Sequence, residues 1–263
     1  MTETRGDHIV RAFDTDLQEL AHTIVRMGGL AEAALETAVE ALARRNSTLA
    51  SGVVQSDRDI DLLEQQISER AIQTLALRQP MAGDLREVIA ALRISGELER
   101  IGDYAANIAK RAMALNQLPP MRPAHSIPRM AKLVQSNIKR VLDAYVSRDA
   151  ALARHVWESD EEIDETYTSL FRETLTYMME DPRNITPCTH LLFIAKNVER
   201  MGDHATNIAE LVFFLVKGER LEGGRPKGDT SSYAVVEPAE KGESDGGDGG
   251  GSDSGRPGAG GGA

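Results

Sequence analysis

Eight acidic residues of this chain form four pairs in which the two carboxylates are four residues apart. The pairs are Asp57 with Asp61, Glu99 with Asp103, Asp160 with Asp164, and Glu199 with Asp203. On a helix this spacing places both carboxylates on one face, about 5–6 Å apart at Cβ, where like charges repel. Clustered carboxylates are also the ligands that hard multivalent cations prefer. The spacing therefore directs attention to metal binding.

The four pairs fall into two copies of one sequence pattern. Residues 48–61 match residues 151–164 at an offset of 103, and residues 99–109 match residues 199–209 at an offset of 100. Two motifs in the same order at nearly equal offsets indicate an internal duplication. The difference of three residues is most simply placed in a turn, where changes of length are tolerated.

The distance of each pair from the turn of its hairpin predicts that the pairs face each other. With a turn near Met81, the acids lie 20 and 24 residues before it and 18 and 22 after it. With a turn near Asn184, the distances are 20 and 24 before and 15 and 19 after. In antiparallel helices both sets align to within about one helical turn. Because four facing carboxylates repel, we predict one metal site in each copy.

A structural interpretation of the acids is also open. Arg100 and Arg200 adjoin the motifs, and surface ion pairs would explain each pair singly. The duplication, and the alignment of the facing pairs to within about one helical turn, favour the metal interpretation. Gly102 and Gly202 support it, because a glycine within a helix costs roughly 1 kcal/mol relative to alanine. Their repeated placement indicates a close approach to the backbone, by a ligand or by a neighbouring helix.

The elements that position these acids are predicted to be helices, which makes the fold all-α. Apolar residues such as Leu17, Leu20, Ile24 and Met27 recur at spacings of three and four, as on one face of a helix. Proline clusters and polar turns mark the helix boundaries. The predicted helices cover residues 8–45, 48–78, 83–116, 127–146, 149–180 and 187–217.

The internal repeat and the proline-rich segment between its copies predict two three-helix units, residues 1–118 and 119–222, and composition separates from them a tail of residues 223–263. The tail holds 14 of the 23 glycines together with seven acids and four bases. It contributes −3 to the net charge of −11, so residues 1–222 carry −8. Such a composition buries too little apolar surface to offset the entropy of ordering, and we predict a disordered tail.

Composition also restricts the compartment and the partners. An acidic chain with 4% aromatic residues is unsuited to nucleic acid, which needs clustered cations and stacking side chains. A single cysteine, Cys188, excludes an intrachain disulfide and is typical of a reducing cytoplasm. The N-terminus lacks the apolar region of a secretion signal. The longest apolar run, Leu211–Val216, is far shorter than a membrane span of about 20 residues. We expect a cytoplasmic protein.

The sequence offers no positive sign of an active site, and we predict that the chain is not an enzyme. It has no Glu-x-x-His ligand spacing near the acids, no phosphate-binding glycine loop and no nucleophile elbow. His204 could assist a metal but is more simply structural, and Cys188 is interpreted as a packing residue. A metal-dependent hydrolase or redox enzyme on a helical bundle remains the alternative.

The duplicated segment Glu-Arg-(Ile/Met)-Gly-Asp-(Tyr/His)-Ala-x-Asn-Ile-Ala, at residues 99–109 and 199–209, resembles the signature of the PhoU family. The first turn, residues 78–86, and the first helix, with Phe13 and Met27-Gly28, are similar to that family as well. The resemblance covers about residues 8–220. It implies a pair of pseudo-symmetric three-helix bundles.

The resemblance further implies multinuclear metal clusters held by the eight paired acids, with iron, manganese, magnesium or zinc as the metal. Asn107 and Asn207 are candidate auxiliary ligands. The implied role is negative regulation of phosphate uptake and of the phosphate-starvation response when phosphate is ample. The implied partners are a Pst-type ABC phosphate transporter and a PhoR-type histidine kinase at the inner face of the membrane, with the protein itself as a homodimer.

Overall fold

The computed structural model describes residues 5–159 and 161–223; for residues 5–13, 78 and 123 it describes only the backbone. In these ranges the chain forms α-helices and short 3₁₀ helices and no strand, which confirms the all-α prediction. The α-helices are α1 (Arg5–Ala43), α2 (Ser47–Arg78), α3 (Ala82–Leu115), α4 (Ile127–Ser147), α5 (Ala150–Glu158), α6 (Glu161–Glu180) and α7 (Ile185–Lys217). Apart from Gly223, the predicted disordered tail lies outside the described residues.

Side-chain caps and one left-handed residue mark helix boundaries near the breaks that the sequence predicts. Asn46 Oδ1 accepts hydrogen bonds at 3.0 and 3.1 Å from two N–H groups in the first turn of α2. Asp149 Oδ1 accepts the equivalent bonds at 2.8 and 3.0 Å at the start of α5. Both side chains satisfy donors that the helix itself leaves unpaired. At its other end, α2 stops at Gln79, whose φ of 47° is left-handed, directly before Pro80.

The prediction of a single helix over residues 149–180 is wrong, because α5 ends at Glu158 and α6 begins at Glu161. Ser159 provides the physical reason. Its backbone N–H bonds Val156 O at 3.2 Å, and its hydroxyl contacts Val156 O at 2.8 Å and Asn137 Oδ1 of α4 at 3.1 Å. A serine that bonds nearby backbone competes with helix continuation. In the first copy, α2 passes through the equivalent segment without interruption.

The helices form two bundles that share one hydrophobic core. Helices α1, α2 and α3 pack together, and α4, α5 and α6 pack around α7, with α5 and α6 together taking the place of one long helix. Across the bundles, α3 packs on α7 and α1 packs on α4. A Cβ atom at Gly28 of α1 would lie 2.6 Å from Leu142 Cδ1 of α4, so glycine permits this close approach. The unit boundaries predicted at residues 118 and 222 stay predictions.

Within the described ranges, none of the helices has an apolar stretch long enough to cross a lipid bilayer.

Candidate metal centres

The first carboxylate cluster joins the acids of α2 to those of α3. The pKa of Asp57 is raised to about 6 by burial and by the charges of Asp103 and Asp61, against a smaller opposing effect of Lys110. The pKa of Glu99 is raised by burial and by Asp103 and Asp61 as well. The four predicted acids of this copy therefore lie close enough to repel one another across the two helices.

Gly102 lets α3 approach α2 at this cluster. A Cβ atom there would lie 2.8 Å from Ile60 Cδ1 and 3.3 Å from Asp57 Oδ1. Ile60 is buried, so its side chain has little room to withdraw. Of the two explanations for the glycine, contact with a neighbouring helix is the one that this geometry supplies. The absence of a side chain at Gly102 also lets Asp57 lie close to the backbone of α3.

The second carboxylate cluster joins α6 to α7 and is more deeply buried. Asp164 and Glu199 are 3% and 5% exposed. Burial raises the pKa of Glu199 to about 7, with Asp203 and Asp164 adding to the rise and Lys196 opposing it. Three of the predicted ligands are thus brought together. The fourth, Asp160, lies outside the described residues.

Lys196 is a component of the second cluster that the acid spacing does not reveal. Its Nζ lies 3.0 Å from Glu199 Oε1 and 4.7 Å from the centre of the Tyr167 ring. The other oxygen, Glu199 Oε2, is buried and has no hydrogen-bond partner. A comparison of the two copies could have indicated this lysine, because the equivalent position in the first copy is Gly96.

A polar network at the junction of α3 and α7 contains His204 and Asn207, the second of which is a candidate auxiliary ligand. His204 Nδ1 lies 2.6 Å from Glu97 Oε2, and Asn207 Nδ2 donates to the same oxygen at 2.9 Å. Although burial acts to raise it, the pKa of Glu97 is lowered by these two hydrogen bonds and the nearby charges. The His204 ring stacks on Tyr104, the equivalent residue of the first copy, with centroids 5.5 Å apart.

These contacts place His204 and Asn207 between the bundles. Asn107, the equivalent of Asn207, is exposed on α3. Cys188 is fully buried, and burial raises the pKa of its thiol, as suits a packing residue.

Both clusters suit a hard cation in donor type, since all their predicted ligands are carboxylates. The raised pKa values of Asp57, Glu99 and Glu199 and the unpartnered Glu199 Oε2 point to negative charge that is incompletely compensated. In the described part of the chain, however, no three His, Cys, Asp or Glu side chains stand in positions that could hold one metal ion. The acids fit a metal chemically, but their side chains are not in the positions of an assembled site.

Comparisons with a family model and with known relatives both point to the same protein family. The sequence model of the PhoU domain matches residues 24–112 and 127–212, which include both clusters. A relative from Caulobacter vibrioides (strain NA1000 / CB15N) is 52% identical over 227 residues, covering 86% of this chain and 99% of the relative. A relative from Xylella fastidiosa (strain Temecula1 / ATCC 700964) is 50% identical over 232 residues, covering 88% and 96%. Both are named phosphate-specific transport system accessory protein PhoU homolog.

Solved structures agree with the sequence comparison. The crystal structure of PhoU from Pseudomonas aeruginosa has a TM-score of 0.77 and 39% identity, over 79% of this chain and all of that one. The regulatory protein PhoU from Streptococcus pneumoniae gives a TM-score of 0.72 and 31% identity, over 80% and 99%. Fold, repeated acid motifs and relatives agree, and the chain belongs to the PhoU family.

Proposed function

We propose that this chain is an accessory protein of a phosphate-specific transport system and regulates phosphate uptake without being an enzyme. The observation that carries the proposal is the identity of about half the residues with proteins of that name. The similarity covers 99% and 96% of those two relatives and extends through both bundles. The proposal therefore concerns the whole two-bundle body rather than one borrowed module.

The finer part of the proposal is an adaptor role between a Pst-type ABC transporter and a PhoR-type histidine kinase. The protein would hold the kinase in its inactive or phosphatase state when phosphate is ample. A charge of −8 on residues 1–222 supports docking on a basic surface, because opposite charges steer association. We propose a cytoplasmic homodimer that reaches the membrane through these partners.

We also propose that both clusters bind metal, with the predicted acids as ligands. The first set is Asp57, Asp61, Glu99 and Asp103, and the second is Asp160, Asp164, Glu199 and Asp203. A bound cation would neutralise charges that otherwise repel. The chain contributes the rest: Gly102 allows α2 and α3 to lie close together, and burial excludes water from Glu199. A metal acts as a signal only if it binds one conformational or partner-bound state better than another.

Deletion of the gene in its own host tests the regulatory role. We expect alkaline phosphatase and high-affinity phosphate transport to rise in phosphate-rich medium, because the starvation response loses its restraint. Expression of the full chain from a plasmid should restore low activity. Unchanged expression of starvation genes in the deletion strain, with no second copy of the gene present, would contradict the adaptor proposal.

Variants of the acids separate the adaptor from the enzyme alternative. An adaptor whose helices still pack and dock keeps partial restraint when Glu99→Gln and Asp103→Asn are combined. A metal-dependent enzyme loses its effect entirely with the same change, as well as with Glu199→Gln combined with Asp203→Asn. Complete loss in both stably folded variants would therefore favour the enzyme alternative.

A further inference from the structure

Two of the differences between the carboxylate clusters change the charge close to Glu99 or Glu199. Gly96 of the first copy corresponds to Lys196 of the second, at the offset of 100. Glu64 corresponds to Tyr167, at the offset of 103. Glu64 adds negative charge near Glu99 and helps to raise its pKa, whereas Tyr167 faces the ammonium of Lys196. Each of these two differences, taken by itself, makes the second cluster less negative than the first.

We propose that Lys196 is a built-in cation of the second cluster, so that the two clusters bind metal unequally. This inference rests on the proposed metal binding and specifies its order. The first cluster takes metal at the lower concentration, and the second takes it only as the ammonium leaves Glu199. The chain then has two metal affinities rather than one.

The contacts of Lys196 are those of a replaceable counter-ion. The Glu199 side chain is 6% exposed, whereas that of Lys196 is 31% exposed. A buried carboxylate needs a partner charge or a proton, and the lysine supplies the charge from the solvent side. Its long flexible stem allows the ammonium to withdraw into water. The ring of Tyr167 holds the ammonium by a cation–π contact, which a metal must also overcome.

The lysine satisfies only half of the carboxylate that it contacts. Glu199 Oε1 accepts its hydrogen bond at 3.0 Å, while Oε2 is buried without a partner. A group that is 5% exposed and retains an unused acceptor is suited to a further ligand. The lysine therefore weakens metal binding by the second cluster but does not prevent it.

The first cluster has no equivalent counter-ion among the described residues. Lys110 and Arg100 lower the pKa values of Asp57 and Glu99 respectively, but both cations are exposed. No lysine or arginine in the described ranges forms an ion pair with the four acids of this cluster. A Cβ atom at Gly96 would meet nothing within 4 Å, so a side chain can start there without a clash, and the first copy lacks the lysine.

Titration of the chelator-stripped full chain with Mn²⁺, and with Zn²⁺ and Fe²⁺ in parallel, tests the inference by calorimetry and metal analysis. The wild type should show two classes of site whose Kd values differ at least tenfold. Lys196→Gln should tighten the weaker class at least tenfold and leave the stronger class unchanged. Lys196→Arg is the matched control, because it retains the cation and should keep two classes.

The reciprocal change makes the test independent of how well Lys196→Gln folds. Gly96→Lys should weaken the stronger class at least tenfold, whereas Gly96→Ala controls for the loss of glycine and should not. A second readout is the metal-induced rise of the unfolding temperature in each variant. It should follow the same order as the Kd values.

The outcomes separate the two levels of the proposal. If none of the three metals binds the wild type or any folded variant, the metal proposal fails, and this inference fails with it. If the wild type binds metal in two classes that neither Lys196→Gln nor Gly96→Lys changes, metal binding stands and the role of Lys196 is overturned. A single class of equal sites in the wild type also overturns it.

Discussion

The two carboxylate clusters come from one sequence repeat but compensate their negative charge differently. In the first, Asp57 and Glu99 lie among like charges, and their pKa values are raised by burial and by neighbouring acids. In the second, Glu199 is more deeply buried and bonds Lys196. The first cluster is thus partly solvated and open to an external cation, whereas the second already contains an internal one. Duplication preserved the acids, and the residues around them made the two copies unequal.

The rise of the unfolding temperature on adding metal should show the largest difference between variants of the two copies. Ligand at 100 times its Kd stabilises a protein by about 2.7 kcal/mol, which corresponds to a rise of about 5–10 °C in the unfolding temperature of a chain of this size. At a Mn²⁺ concentration that saturates only the stronger class, combining Glu99→Gln with Asp103→Asn should abolish this rise. The measurement is calorimetric or fluorescence-detected unfolding with and without Mn²⁺.

The matched control for this prediction is the equivalent pair in the second copy. Glu199→Gln combined with Asp203→Asn should retain most of the rise, because the stronger class of site is still intact. Equal losses from the two double variants would show that the copies contribute equally and would remove the proposed asymmetry.

In metal-free protein, the pH range over which each cluster loses its contribution to stability should differ between the two clusters. An acid whose pKa is higher in the folded state binds more protons there than when unfolded, so its contribution is greatest at low pH and is lost as pH rises. For Asp57 this loss runs from its ordinary pKa of 3.8 to about 6, and for Glu199 it runs from 4.5 to about 7. Each loss is on the order of 2–3 kcal/mol, since one pKa unit corresponds to about 1.4 kcal/mol. For Asp57, which is partly exposed, screening by solvent reduces the loss.

Urea denaturation at several pH values between 4 and 8 checks this prediction in chelator-treated protein. The stability of Glu199→Gln relative to the wild type should increase up to about pH 7, and that of Asp57→Asn should level off near pH 6. Using differences from the wild type cancels the titration of the remaining groups. A gain for either variant that falls as pH rises would contradict the sign of its pKa shift.

The fold and the positions of most site residues were predictable because they depend on periodic features. The spacing of apolar residues predicts helices, and asparagine or proline marks their ends, as Asn46 does before α2 and Pro80 does after it. The spacing of Asp57 and Asp61 predicts a shared helix face. Similar distances from the turn predict that α2 and α3 bring their acids together, and the charges of Asp103 and Asp61 do act on Asp57.

The remaining features depend on contacts between distant segments, which periodicity does not contain. The end of α5 depends on Ser159 meeting Asn137 of α4. The bond of Glu97 to His204 joins residues 107 positions apart. The role of Lys196 becomes visible only when its place beside Glu199 is known. Comparison of the two copies position by position would have indicated Lys196 as a difference, but not its partner.

The smallest effects should come from two glycines of the first copy, which separate helix packing from charge. Gly96→Ala should stabilise the protein by about 1 kcal/mol, because alanine is the better helix former and a Cβ atom there meets nothing within 4 Å. Gly102→Ala should destabilise it by about 1 kcal/mol. Its Cβ atom would lie 2.8 Å from Ile60 Cδ1, and overpacking of about 1–3 kcal/mol outweighs the gain in helix propensity.

Chemical denaturation of both variants in chelator measures these differences without any contribution from metal. Gly102 also lets α3 lie close to Asp57, whose Oδ1 would be 3.3 Å from the added Cβ. Gly102→Ala should therefore displace Asp57 and weaken Mn²⁺ binding by the first cluster as well. Gly96→Ala should leave that binding unchanged. If Gly102→Ala is as stable as the wild type and binds Mn²⁺ equally well, Ile60 withdraws freely, and the close approach of α2 and α3 does not determine how the first cluster is assembled.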